Sequence, residues 1–318
     1  IDVLKIAKDY LVTRPLLSSI MTSLIVHPAE LQTIKFLQET KSDHSIIFVM
    51  DSENVELGQS IVKFIMKSFD LKIPFSIEAG MDNIKESLAH NSSFIVSDES
   101  HLNAITELID FGESRKVYWL PISIGYENFD SIPFKFSLSN FIRKLRHGYG
   151  MVKVSFHEPY TYSDFFQRRS FNAKFLRNHL YHDIVFKAPV MATNLVAFLL
   201  LTYFKDVGGK VAEIAEKANE LQKNFCTIEF AFEGDAIDVV NYALKTFHGK
   251  ISIDKEGLIK ANEDAYEEFL SLAKVLLYHH ALKAAIVSYL ALPNVDYNKV
   301  DYYKMIDHAS DVVDNLKI

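Results

Sequence analysis

Two short apolar runs with a basic amphipathic segment between them constrain this chain most. The first is Val117-Tyr-Trp-Leu-Pro-Ile-Ser-Ile-Gly-Tyr126 and the second is Met151-Val-Lys-Val-Ser-Phe-His-Glu-Pro-Tyr160. Each reads as a buried strand closed by Gly, Pro or a charge. Between them, Leu138, Phe141, Ile142 and Leu145 fall on one helical face, and Arg143, Lys144 and Arg146 fall off it. Strand, helix, strand is a crossover unit, and such units build sheets covered by helices.

The alternation extends upstream. Ser45–Met50, Pro74–Ile77 and Ser93–Val96 read as strands; Val55–Phe69, Met81–Leu88 and Ser100–Ile109 read as helices. Residues 1–40 read as helical, from the spacing of Leu4, Ile6, Ala7, Tyr10 and Leu11 and a helix start at Pro28, with an apolar, Ser-dotted run from Leu16 to Val26. Past Tyr160 the pattern is mostly helix: Ser163–Arg169, Phe171–Lys187, Pro189–Lys205, Val211–Asn224 and Ala236–Phe247. Gly249–Lys260 reads as a hairpin turning near Asp254–Gly257, Asn262–Leu292 as a long helix or helix pair, and Pro293–Ile318 as one amphipathic helix. The expected organisation is N-terminal helices over 1–40, an α/β domain over 41–165, and a mainly helical domain with a small hairpin over 166–318.

With 318 residues, 49% of them apolar and 24% charged, the chain has the composition of a globular protein with ample core. A net charge of −7 argues against broad nucleic-acid binding, which needs a basic surface. One cysteine, Cys226, excludes an internal disulfide and a Cys-rich zinc site. The longest apolar stretch, Ala188–Phe204, carries Pro189, Thr193, Asn194 and Thr202 and is shorter than the ~20 residues of a spanning helix, so it reads as a buried helix. The first residue is Ile1 rather than Met, which leaves room for an upstream segment.

Leu120-Pro-Ile-Ser-Ile-Gly-Tyr126 followed by Val152-Lys-Val-Ser-Phe-His-Glu-Pro159 resembles the last part of the glycerol-phosphate acyltransferase fold. Within that group the chain is most similar to the dihydroxyacetone-phosphate acyltransferases and the large glycerol-3-phosphate acyltransferases. Asp9-Tyr-Leu-Val-Thr-Arg-Pro15, Ile77-Glu-Ala-Gly-Met-Asp82 and Pro189–Leu201 agree with it in order, so the resemblance covers most of the chain. It implies an α/β layered sheet and transfer of an acyl group from acyl-CoA to a phosphorylated three-carbon alcohol, with no cofactor. It also implies a peripheral membrane setting, peroxisomal or mitochondrial, although Asn315-Leu-Lys-Ile318 does not look like a peroxisomal tail.

The family's centre is His-x-x-x-x-Asp at the end of the first core strand, where the His takes the proton of the attacking hydroxyl and the Asp orients the ring. The matching place here is Val49-Met-Asp-Ser-Glu-Asn-Val-Glu56, and it holds no histidine. None of the 12 histidines has Asp five positions on. The His position falls on Asp51, Ser52 or Glu53, with Glu56 nearby. The family's second motif holds the acceptor phosphate with arginines; Asp98 and Glu99 stand in the corresponding Phe94–Ser100, a reversal of sign. The third motif survives as Phe111-Gly-Glu-Ser-Arg115, which leaves Arg115 as the candidate phosphate contact. Fold signals persist while chemistry signals vanish, so the expected protein is a catalytically inactive relative. Its expected partners are acyl-CoA or a fatty acid, an active acyltransferase and a membrane surface, but no nucleic acid. The alternative is a divergent active enzyme that uses other residues.

Other clusters have plainer readings. Asp51 and Glu56 as a metal site rank below solvated carboxylates. Arg143, Lys144 and Arg146 rank as a solvated helix face above a headgroup site. His179 and His182, with Asp183 beside them, lack further ligands at zinc spacing and read as surface or core histidines. His157 receives no role, and His279-His280 read as structural. Helix 211–224, helix 236–247 and the hairpin have the order of a winged helix, a rival class of interaction module. The second helix offers one Lys against one Asp, too few donors for a DNA-reading helix.

Overall fold

The computed structural model describes residues 21–41, 43–50, 55–76, 92–97, 102, 105, 117–128, 148–161, 173–225, 228–293, 295, 300, 304–305, 307–309 and 311–312. Contacts divide the chain into two compact units. One comprises residues 1–124, 133–146 and 154–184; the other comprises 125–132, 147–153 and 185–318.

The first unit is built on a mixed, mostly parallel seven-strand sheet flanked by helices. Its strands are β1 (Met21–Val26), β2 (Ser45–Met50), β3 (Phe75–Ser76), β4 (Phe94–Val96), β5 (Val117–Tyr126), β6 (Gly150–Phe156) and β7 (Tyr160–Thr161). Their order is β1-β6-β5-β2-β4-β3, with β7 also on β5. All six residues of β2 are buried, as an unbroken Ser-Ile-Ile-Phe-Val-Met run requires when both faces of a strand are covered. β2 is parallel to β4 and to β5, and β3 is parallel to β4. Helix α1 (Pro28–Thr40) starts on a His27 cap, and its Glu30 carboxylate accepts from the Phe156 amide at 2.7 Å. Helix α2 (Val55–Ser68) buries Leu57, Ile61, Val62, Ile65 and Met66. Gly58 brings it so close to Met50 and Ile124 that a Cβ there would overlap the Met50 side chain. The opposite face, with Ile47, Val49 and Trp119, packs with Leu176, Leu180 and Ile184 of α3 (Ala173–Phe186).

Three expectations change. Met21–Val26 is a strand, not helix; its Thr, Ile and Val favour the extended chain, and the Ser-dotted run before it hid the change of period. Second, β5 and β6 do not form a parallel crossover. The Glu127 amide bonds Met151 O and the His157 amide bonds Pro121 O, so the two strands run antiparallel. Apolar runs closed by Gly and Pro report burial but carry no direction. Third, β6 and β7 form one interrupted strand along β5. From Pro121 to Trp119 β5 takes two steps, whereas His157 to Tyr160 takes three, so His157–Pro159 is a bulge. Pro121 sits mid-sheet without breaking the β2 ladder because its carbonyl, and hence its nitrogen, faces the end of β6. Residues 81–88, 138–147 and 163–169, expected to be helical, lie outside the described residues.

The second unit is helical. It holds α4 (Ala192–Thr202), α5 (Val211–Asn224), α6 (Ala236–Thr246), the hairpin β8 (Ile251–Ile253) and β9 (Ile259–Ala261), and α7 (Tyr266–Leu290) after a single 3-10 turn. α4 is buried from Ala192 to Leu201 and is the centre of its core. The hairpin turns where expected. Asp254 Oδ1 accepts from the amides of Glu256 and Leu258, and Gly257 supplies the positive φ of 79°. Gly209 bridges to Ile259, adding a third short strand segment beside β9. α7 is long and apolar enough to cross a membrane by length and composition, yet Phe269, Leu272, Ala273 and Leu276 are buried in the protein core.

One carboxylate ties the start of this unit together. Glu127 is buried, and its Oε2 accepts from the Met151 amide at 2.8 Å while its Oε1 accepts from the Tyr242 hydroxyl. Its own carbonyl accepts from Thr193 Oγ1 at 2.5 Å. Gly150 has φ of 63°, and a Cβ there would overlap Glu127 Oε2. Burial, then the bond to Glu127, pushes the Tyr242 phenol up to about 12.

Candidate functional site

In an open α/β sheet the ligand edge lies outside the carboxyl ends of the parallel strands. Here that edge is entered from Met50 of β2, Ser76 of β3 and Val96 of β4. α2 begins just after β2 and places Glu56, exposed, in its first turn. One turn on, Gln59 spans the edge. Its Oε1 accepts from Ser76 Oγ at 2.7 Å, and its Nε2 reaches Ser97 Oγ at 3.4 Å. Among the described residues, this part of the edge therefore carries neutral groups that satisfy one another, with Glu56 the charge in the first turn of α2. Such groups neither neutralise a phosphate nor take a proton from an alcohol at neutral pH.

Of the sequence-derived site residues, Glu56 alone can be placed. Asp51, Ser52, Glu53, Asp98, Glu99 and Arg115 lie outside the described residues, as do Arg143, Lys144, Arg146 and Cys226. The described neighbours of two of them stand apart. Val117, which follows the Arg115 segment, is in register with Ser45 at the start of β2, whereas Met50, before Asp51, pairs with Ile122. Five strand residues, roughly 16 Å at 3.3 Å each, separate those two levels.

The structure also brings together residues that the sequence did not connect. Ser123, one step beyond the Met50 level on β5, places Oγ 2.6 Å from His157 Nε2 and 2.5 Å from the Ile184 carbonyl. The bulge at His157–Pro159 aims the imidazole there. A serine touching a histidine suggests a nucleophile and its base, but the protons decide otherwise. A carbonyl only accepts, so the one hydroxyl proton goes to Ile184 O and His157 Nε2 must be the donor to Ser123. Ser123 is fully buried besides. The pair fastens the end of α3 to the sheet rather than activating a nucleophile. The signal was weak: 34 residues separate the two, and only the odd-numbered face of β5, shared with Trp119, links Ser123 to α3.

His179, His182 and Asp183 are buried on α3. Asp183 accepts from the Tyr160 hydroxyl, and the Tyr160 ring meets His179 edge-on at 5.0 Å. They are core side chains, one of the two readings the sequence left open. Among the described residues no three His, Cys, Asp or Glu side chains converge as metal ligands.

Compared with known proteins, the chain matches no family model and no curated protein.

Proposed function

We propose that this chain is a catalytically inactive relative of the glycerol-3-phosphate and dihydroxyacetone-phosphate acyltransferases, acting at a membrane face as a lipid-binding or regulatory partner of an active enzyme. One observation carries the reading. The four residues between central strand β2 and α2, where that chemistry needs its histidine, are Asp51-Ser-Glu-Asn54 in the sequence, and Glu56 stands in the first turn of α2. Two features support the family likeness: the Leu120-Pro-Ile122 segment lies in β5, beside β2, and the strand–helix alternation before it builds a mostly parallel sheet. In the sequence, carboxylates at Asp51, Glu53, Glu56, Asp98 and Glu99 replace the family's histidine and phosphate-holding arginines, a reversal of sign that disfavours an acceptor phosphate. Purified protein given long-chain acyl-CoA and either glycerol 3-phosphate or dihydroxyacetone phosphate should show no transfer above background. Turnover that disappears in Glu53→Ala or Asp51→Ala would install those carboxylates as the base and sink the proposal.

A second reading, a winged-helix-like interaction module within the helical unit, draws on the Gly209–Ile259 bridge. That bridge completes the order helix, short strand, two helices, hairpin over α4 to β9. α6, which would be the recognition helix, carries Asp238 against Lys245 and exposes Ile237 and Tyr242, a surface for protein rather than nucleic acid. Mobility-shift titration with duplex DNA at low salt should show no complex; a salt-dependent shift would reverse this reading.

A further inference from the structure

Three helices of the second unit, with Phe186 ahead of them, meet at an aromatic cluster that contains two adjacent histidines of α7. The His279 ring lies 4.5 Å from Phe186 and 6.0 Å from Phe225. The His280 ring stacks on Phe198 at 5.0 Å and 20°, and meets Phe225 edge-on at 5.2 Å. Phe186 ends α3, Phe198 is central in α4, and Phe225 caps α5. The pair also lies where α7 passes from one apolar cluster to the next. Residues up to Leu276 pack with α4 to α6, and those from Tyr278 to Ala285 pack with Val185, Phe186 and Ala309.

Both imidazoles are held neutral here. His279 is hydrogen-bonded to the Phe186 backbone, whose carbonyl can only accept, while the Nε2 atoms of His279 and His280 are buried with no hydrogen-bond partner among the described residues. A proton added at either Nε2 would sit in an apolar pocket. Cation–π attraction to the phenyl rings would return less than a buried, unpaired charge loses. The charges acting on the pair make this worse: His280 opposes a charge on His279, and Lys283, one turn on, opposes one on His280. α4 contributes no ionisable side chain, and among the described residues no carboxylate acts on either ring. The Phe186 carbonyl at the end of α3 favours the charged form of His279 but is outweighed by burial.

We propose that His279 and His280 form an acid-sensitive latch that holds α7 against Phe186, α4 and α5, and that their protonation releases α7 before the sheet unit unfolds. Burial pushes His279 down to about 4 from 6.5, and burial then Lys283 push His280 down as well. Between those values the open state binds more protons than the closed one. The latch is therefore fully engaged above pH 6.5 and weakens as pH falls toward 4.

The single tryptophan, Trp119, lies in the sheet unit, so the two units report separately. Hydrogen exchange of 266–290, corrected for its intrinsic pH dependence, should show opening roughly 30-fold more favourable at pH 5 than at pH 7.5 from His279 alone. Trp119 emission should stay unchanged over that range. The variant His279→Asn with His280→Phe keeps a donor for the Phe186 carbonyl and fills the stack without a titratable ring; its α7 opening should not change between these pH values. Should it not fold, His280→Phe alone should show a smaller pH effect than the parent protein. Opening of 266–290 that is independent of pH, an undiminished pH effect in these variants, or simultaneous loss of Trp119 burial would overturn the latch.

Discussion

The carboxyl edge of the sheet and the clasp around Glu127 bury polar groups in opposite ways. At the edge, Gln59 joins Ser76 and Ser97, and Ser123 joins His157 and Ile184, all through neutral or committed hydrogen bonds. At the clasp a carboxylate is buried and fully used by the Met151 amide and the Tyr242 hydroxyl. The α/β architecture directs attention to the edge as the place for chemistry. Yet the strongly perturbed groups among the described residues, Tyr242 and His279, belong to the helical unit, where they serve its architecture. Burial shifts His279, and burial together with the bond to Glu127 shifts Tyr242.

The largest effect should come from breaking the clasp. Glu127→Ala strands the Met151 amide and the Tyr242 hydroxyl, and should cost roughly 3 kcal/mol in urea unfolding followed by helical circular dichroism. The phenol of Tyr242 should then ionise nearer 10. In the parent protein its neutral, bonded form contributes fully below pH 10 and is lost as pH rises through about 12. A variant as stable as the parent would show that the carboxylate is dispensable and remove half of the contrast.

A smaller effect is expected on the sheet side. Ser123→Ala removes a hydroxyl that links His157 to Ile184 and should cost about 1 kcal/mol, read from Trp119 emission during urea unfolding. It should change nothing else. If the parent protein had an acyl-transfer or esterase activity that Ser123→Ala abolished, the proton assignment above would be wrong and the edge would not be chemically quiet.

Much of this architecture was legible because local signals agreed. The unbroken apolar run of β2, the α5 span Val211–Asn224 and the Asp254–Gly257 turn each carry their own reason in a few residues. Direction and pairing were not legible. Antiparallel β5 and β6 depend on backbone bonds between distant residues, and the Ser123–His157 contact depends on a one-residue bulge that no periodicity announces. Glu127, in a polar stretch after Tyr126, looks like a solvated loop residue; the absence of a side chain at Gly150 leaves the space that lets it be buried. Of the acidic positions singled out for the altered motif, Glu56 is placed, at the start of α2.

The central proposal is that this chain is an acyltransferase relative without a working phosphate and proton-transfer site. Titration calorimetry with glycerol 3-phosphate at millimolar concentration tests it most directly. The account predicts no saturable heat, whether or not a fatty acid or acyl-CoA gives a signal in a parallel titration. Saturable binding of glycerol 3-phosphate that dihydroxyacetone phosphate competes away would contradict it, because a phosphate site would then exist in spite of the acidic motif.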